Sequence, residues 1–283
     1  DLCPNTPTGS SVNGNGCAQS QLDTDLDHVA DSDDLCPNTP YHVISPGRID
    51  SEGCHGGYVL AWGLGPLGGN TSLRAGLESD SELLSHRVIQ IEDTDFGFAA
   101  LRSDGLVYSW GIYDTAVHAI QDVTQLESTY GAYAALKEDG SVVSWGCDLQ
   151  GNCDAEEPIG ADQSSVALDL TSGVSKVYSN NYAFAALKTD GSVVTWGYAS
   201  YGGDSSSISS ELASGVVEIY STTTAFAALK SDGSVVTWGQ TNFGGDSTSV
   251  SSELNSDVVD IYPSLCAFAA LKLDGSVVTW GGS

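Results

Sequence analysis

Residues 97–281 carry one pattern of apolar and polar positions five times over. The segment Ala183-Phe-Ala-Ala-Leu-Lys-Thr-Asp190-Gly191-Ser-Val-Val-Thr-Trp196-Gly197 recurs almost unchanged at 225–239 and 267–281, with looser copies at 97–111 and 132–146. Each copy is an apolar run, a polar Asp-Gly step and a second apolar run ending in Trp-Gly. That pattern predicts two strands joined by a tight hairpin, because Gly accepts the positive φ such a turn needs. A further short apolar stretch precedes each hairpin, at Val88/Ile91, Val123/Leu126, Val174/Val177, Val216/Ile219 and Val258/Ile261, and predicts a third strand. All six Trp (62, 110, 145, 196, 238 and 280) are followed by Gly, and the last two intervals are both 42 residues. A fixed period of this size marks a repeat architecture. The paired Ala residues let strands crowd where units converge, and the Trp fill the space between neighbours, so core packing is the reading for all six.

The array is uneven at its ends. Gly57-Tyr-Val-Leu-Ala-Trp62-Gly63 supplies only the second strand of a hairpin, whereas the copy at 267–281 is complete. Five full hairpins and a fraction leave an open sheet edge, which is a template for strand addition. The expectation is that a neighbouring subunit or further sequence completes the sheet.

Ahead of the repeats lies a segment of different character. In Asp23-Thr-Asp25-Leu-Asp27-His-Val29-Ala-Asp31-Ser-Asp33-Asp34, carboxylates occupy positions 1, 3, 5, 9 and 12 counted from Asp23. The backbone carbonyl of Val29 is available at position 7. This is the spacing of an oxygen-only calcium loop, in which a hard cation takes six or more oxygens from a curled backbone. Without a cation, five carboxylates so close together repel one another. The expected ligands of Ca2+ are therefore Asp23, Asp25, Asp27, Val29, Asp31 and Asp34.

Cysteine placement adds a second constraint. Cys3-Pro-Asn-Thr-Pro leads to Gly16-Cys17, and Cys36-Pro-Asn-Thr-Pro leads to Gly53-Cys54. Each unit reads as one closed loop, which predicts disulfides Cys3–Cys17 and Cys36–Cys54. Cys147 and Cys153 flank a turn-like Asp-Leu-Gln-Gly-Asn that a third bridge would close. The five His form no ligand-spaced pair and no CxxC is present, so a zinc site is the poorer account. Disulfides imply an oxidising, extracellular setting or a cell surface. Cys266 is left over, and its apolar surroundings in the sequence suggest a buried free thiol in a strand.

Charge narrows the partners. With 37 acidic and 9 basic side chains in 283 residues the formal charge is −28, which argues against nucleic acid and anionic membrane as partners. No apolar run approaches the roughly 20 residues of a membrane span. The chain opens at Asp1 without Met, as expected of a processed or excised piece. Asp1-Leu-Cys3-Pro aligns with Asp34-Leu-Cys36-Pro, so Asp1 reads as the last ligand of a preceding repeat.

Two resemblances follow from these motifs. The acidic loop with its Cys-Pro-Asn-Thr-Pro tails, residues 1–54, resembles a thrombospondin type 3 repeat of bacterial surface proteins. That resemblance implies calcium binding by Asp23, Asp25, Asp27, Asp31 and Asp34 and a stiff spacer role, with His28 standing where position 6 is usually Gly. The Ala-Leu-Lys-x-Asp-Gly-Ser-Val-Val-x-Trp-Gly units resemble regulator-of-chromosome-condensation repeats, which form β-propellers. The connectors 202–212 and 244–254 look like a secreted bacterial branch that includes a β-lactamase-inhibitory propeller. The expected fold is all-β: a β-propeller over 55–283, preceded at 1–54 by a small irregular module stabilised by calcium and disulfides.

A catalytic centre is not legible. There is no GxSxG, HExxH, Cys/His pair or phosphate loop. Asp93/Asp95 imitates a carboxylate dyad but nothing else converges on it, and His86 and His118 are isolated. Arg102, Lys137, Lys188, Lys230 and Lys272 share one slot of the repeat, which suits a structural rim of cations. Asn70-Thr-Ser72 is a glycosylation acceptor pattern, and the Ser/Thr-rich connectors are candidates for O-linked sugars. The expected function is an extracellular, non-catalytic structural or adhesive protein, an arm plus propeller used for protein–protein assembly, self-association included, in a surface appendage, filament or adhesin. The alternative is a secreted binding module, a protein inhibitor or a glycan binder. Its mark would be aromatic residues on one propeller face, for which Tyr198, Tyr201 and Phe243 are candidates; packing between blades is the plainer reading of those three.

Overall fold

The computed structural model describes residues 88–111, 120–146 and 162–282. From Gln90 onward the described residues belong to one compact unit. They form five three-stranded sheets, each built from three strands consecutive in the chain. The first sheet holds β1 (Val88–Thr94), β2 (Gly97–Arg102) and β3 (Val107–Gly111), and the second β4 (Val123–Ser128), β5 (Ala132–Lys137) and β6 (Val142–Gly146). The third holds β7 (Val174–Ser179), β8 (Ala183–Lys188) and β9 (Val193–Gly197). The fourth holds β10 (Val216–Ser221), β11 (Ala225–Lys230) and β12 (Val235–Gly239), and the fifth β13 (Val258–Pro263), β14 (Ala267–Lys272) and β15 (Val277–Gly281). The fold is all-β, and each sheet is a propeller-type blade packed face to face on the next.

The spacing of the first strand's apolar pair has a structural cause. Strict alternation would put Val216 and Glu218 on one face. A register shift between those two residues, against β11, instead turns Val216 and Ile219 inward together. The same shift recurs at Val123/Gln125, Val174/Lys176 and Val258/Asp260. A β-bulge of this kind absorbs one residue and sharpens the local twist.

The second strand is buried on both faces, which is why it reads as a continuous apolar run. In β8, Ala183, Ala185 and Leu187 pack forward against Leu212, Ile219, Phe226 and Trp238 of the fourth blade. Phe184 and Ala186 pack backward against Ala132, Ala134 and Leu136 of the second. The junction repeats between the fourth and fifth blades, where Ala225, Ala227 and Leu229 meet Leu254, Phe268 and Trp280. Ala is required because the backbones approach closely here; burying a larger side chain would overpack the junction.

The hairpins close through the Asp-Gly step. Gly191 N–H donates to the Lys188 carbonyl at 2.9 Å, and Lys188 N–H to the Ser192 carbonyl at 2.8 Å. Gly191 sits at φ +79°, whereas Asp190 keeps a negative φ and accepts from Ser192 N (2.9 Å) and Oγ (2.6 Å). This is a three-residue loop with glycine in the left-handed position. The carboxyls of Asp139, Asp190, Asp232 and Asp274 are all held below the usual range, first by the serine hydroxyl two residues on.

Candidate functional site

Three features of the described residues bear on function, and each grows out of the repeat. The first is the tie between blades. Trp238 Nε1 donates to the carbonyl of Gly202 at 3.1 Å and Trp280 Nε1 to that of Gly244 at 3.0 Å. Trp196 Nε1 donates instead to Ser144 Oγ at 3.0 Å. Each of these Trp also stacks on the Phe directly across its hairpin, as Phe226 on Trp238 at 5.2 Å. The cation slot does related work: Lys188, Lys230 and Lys272 Nζ donate to the carbonyls of Asp169, Glu211 and Glu253, fastening each hairpin to the connector before it. Arg102 pairs instead with Asp104 beside it.

The second feature runs along the first strands, which are adjacent from blade to blade. Gln125 Nε2 donates to the Val177 carbonyl at 2.7 Å while its Oε1 accepts from Val177 N at 3.0 Å; Gln90 bridges to Leu126 in the same way. Ser179 Oγ donates to Glu127, and Ser128 Oγ to Glu92. Burial raises the pKa of Glu127 against the lowering effect of its Ser179 and Gln125 hydrogen bonds. Further along, Tyr178 donates to Glu218 (3.0 Å) and Tyr220 to Asp260 (2.8 Å). Burial first, and the Glu218 carboxylate second, push the Tyr178 hydroxyl far above its ordinary pKa. All of these groups are satisfied across blades, and their role is structural.

The third feature is aromatic. The loops after the first strands are chained by backbone bonds: Asp95 N–H to the Tyr130 carbonyl, Tyr130 N–H to Asn181, Asn181 N–H to Thr223 and Thr223 N–H to Leu265. On this seam Tyr130 meets Tyr182 edge-on at 5.1 Å. Tyr182 lies 4.7 Å from Tyr201, which stacks on Tyr198 at 4.9 Å. Tyr130 is 39% exposed and Tyr198 42% exposed. Burial, then the neighbouring Tyr130 and Tyr201 and the charge of Asp95, raise the pKa of Tyr182.

Against the sequence expectations, Tyr198 and Tyr201 do come together, whereas Phe243 packs into the junction of the fourth and fifth blades. Sequence reading missed Tyr130 and Tyr182; the available signal was their departure from the residues in the same repeat slots. Asp93 and Asp95 are both exposed, and Asp95 borders the tyrosines instead of forming a dyad. Cys266 is a free thiol but not a buried strand residue: it occupies the bend before β14 and is half-buried. The expected calcium ligands Asp23, Asp25, Asp27, Val29, Asp31 and Asp34 lie outside the described residues, as do Cys3, Cys17, Cys36, Cys54, Cys147, Cys153 and Asn70. Among the described residues no group of three or more His, Cys, Asp or Glu is gathered as for a metal, and no helix is long and apolar enough to cross a membrane.

No protein-family profile and no curated protein sequence matches the chain. Solved structures do. Human WBSCR16 is similar at 21% identity over 69% of this chain and 62% of that one, with a TM-score of 0.43. Prp20p from Saccharomyces cerevisiae is similar at 19% identity over 69% and 57%, with a TM-score of 0.45. The ectodomain of the Arabidopsis thaliana receptor kinase ACR4 is similar at 16% over 70% and 66%, with a TM-score of 0.43. The chain thus spans under two thirds of the length of these structures. The chain's own five three-stranded antiparallel sheets remain the ground on which the all-β, blade-like fold rests.

Proposed function

We propose that the chain is an extracellular, non-catalytic structural or adhesive protein in which a calcium-rigidified arm, residues 1–54, leads into a blade array used for protein–protein assembly. One observation carries this reading. The fifth blade displays the forward face that the third and fourth blades bury. Ala225 and Ala227 are fully buried and Leu229 nearly so, whereas Ala267, Ala269 and Leu271 are half-exposed. On the same face Val277 is 59% and Tyr262 56% exposed. In the third and fourth blades this forward face is buried by another blade, so a second copy of the chain, which carries such blades, is the occupant that fits.

The test is the mass and particle shape of the purified chain, with and without calcium, for the unaltered protein and for Val277→Lys. Concentration-dependent multimers or fibres that Val277→Lys disperses are expected. A monodisperse monomer at every concentration would overturn the assembly reading.

A secreted binding module is the second reading, favoured by the exposed tyrosines of the loop seam.

A further inference from the structure

The tyrosines at 130, 182 and 198 are not demanded by the fold. The slot of Tyr130 holds Asn181, Thr223 and Leu265 in the next three blades, along the same backbone seam. The slot of Tyr182 holds Thr224 in the fourth blade, and that of Tyr198 holds Gln240. There a hydrogen bond of 2.9 Å from Thr224 Oγ1 to Gln240 Oε1 replaces the contact between rings. The third and fourth blades are otherwise near-copies, with the same Ala-Phe-Ala-Ala-Leu-Lys and Val-Val-Thr-Trp-Gly strands. Side chains that one blade replaces by Thr and Gln, and that its neighbour gathers as stacked half-exposed rings, serve something other than folding.

The chain shows elsewhere what such a grouping holds. Lys176 Nζ lies over the Tyr178 ring at 4.7 Å and 2.6 Å from Glu218. Arg102 lies over the Tyr108 ring at 5.7 Å and pairs with Asp104. In both, a cation sits between a tyrosine face and a carboxylate. The cluster of Tyr130, Tyr182, Tyr198 and Tyr201 with exposed Asp95 offers the same two components, and among the described residues no lysine or arginine lies over its rings.

We propose that this tyrosine cluster with Asp95 is a recognition site for a basic side chain, arginine or lysine, presented by a protein partner. Tyrosine faces attract cations through the ring quadrupole. Their two side-chain torsions make them cheap to immobilise, which is why tyrosine is enriched among interface anchors. A body charge of −28 steers a basic partner toward the site and repels acidic ones. A pyranose would also stack on exposed tyrosine, but it would gain nothing from Asp95 or from the surrounding charge, so a glycan is the weaker occupant. The inference extends the binding-module reading and does not depend on self-assembly, since none of these residues belongs to the fifth-blade face.

The test measures fluorescence anisotropy of a labelled Gly-Arg-Gly-Arg-Gly peptide at physiological salt, beside the same peptide with citrulline for arginine, and a titration with cellohexaose. The variant Tyr182→Thr/Tyr198→Gln copies the pair the fourth blade already carries, so it retains the fold, which circular dichroism checks. It should weaken arginine-peptide binding roughly tenfold, and Asp95→Asn should weaken it several-fold. Asp232→Asn, which removes the same charge from a hairpin turn, should leave binding unchanged. The proposal is overturned by undetectable binding of the arginine peptide, by equal binding of the citrulline peptide, or by equal affinity in the tyrosine variant. It is likewise overturned if cellohexaose binds in a tyrosine-dependent way while the arginine peptide does not.

Discussion

Trp238 Nε1 donates to the backbone carbonyl of Gly202, 36 residues earlier in the chain and on the preceding connector. The two residues need each other. Gly202 has φ +104°, and a Cβ added there would lie 2.7 Å from the Phe226 ring that stacks on Trp238. Left-handed backbone and lack of space thus both require glycine, while the indole proton requires the carbonyl that this backbone exposes. We predict that Gly202→Ala destabilises the array by about 2–4 kcal/mol, combining backbone strain with overpacking. Trp238→Phe, which removes the donor and part of the ring, should cost about 1–3 kcal/mol. Chemical denaturation of both variants checks these values; a cost below 0.5 kcal/mol for Gly202→Ala would contradict the geometry.

Two glycines of the third and fourth blades should respond differently to substitution. A Cβ on Gly191 would lie 2.8 Å from the backbone nitrogen of Gly215, with φ +79°. A Cβ on Gly215 meets only side-chain atoms, the flexible Lys230 Cε at 3.3 Å and Ser231 Oγ at 3.8 Å, and its slot is filled by Asp122 and Asp257 at φ +62° and +63° in two other blades. Gly191→Ala is therefore expected to cost about 2–3 kcal/mol and Gly215→Asp under about 1 kcal/mol. Thermal melts of the pair would show the difference directly.

Glu127 sets a slope of stability with pH opposite to that of the turn aspartates. Its folded pKa is raised above the ordinary value of 4.5 by burial, so the native state binds the proton more tightly than the unfolded chain. Stability from this group is present below about pH 4.5 and falls as pH rises through the higher folded value. The turn aspartates, lowered in the folded state from 3.8, contribute above that value and lose their contribution as pH falls through their folded values. Glu127→Gln should remove the loss on the alkaline side and leave the acid side intact. Denaturation midpoints across pH 3 to 8 measure both limbs; an unchanged profile in the variant would refute the assignment.

Chelation of calcium is expected to loosen residues 20–36 and leave the blades folded. Limited proteolysis with and without chelator, read by mass, distinguishes the modules. Loss of the blades together with the arm would show that the two do not fold independently.

The blades were legible because the sequence states their requirements redundantly. Ala-x-Ala-x-Leu, Asp-Gly and Trp-Gly each answer a separate constraint: close packing, a left-handed turn residue and an indole tie. The strand boundaries followed, and the inward pair Val216/Ile219 was found although its spacing violates simple alternation, because the bulge repeats in step with the sequence. The tyrosine cluster was only half legible. Tyr198 and Tyr201 stand three apart on one connector, but Tyr130 belongs to a different blade, 52 residues before Tyr182. Only the stacking of blades brings its ring to the others, and no local pattern encodes that. Phe243 shows the same limit from the other side. It fills the Tyr201 slot of the next blade, yet without tyrosines at 224 and 240 it packs into the junction rather than joining an exposed cluster.

The backbone seam from Asp95 to Leu265 has a consequence for how the array fails. Every link in it, like every tryptophan and lysine tie, joins a blade only to its immediate neighbour. Such an array behaves as a one-dimensional chain of coupled units, in which stability is the sum of single-unit and nearest-neighbour terms. Interior blades are held from both sides, whereas the fifth has one described neighbour. Melting should therefore fray inward from Ser264–Gly282, and the slowest amide exchange should be found near β8, where Ala183, Phe184 and Ala185 have no accessible surface at all.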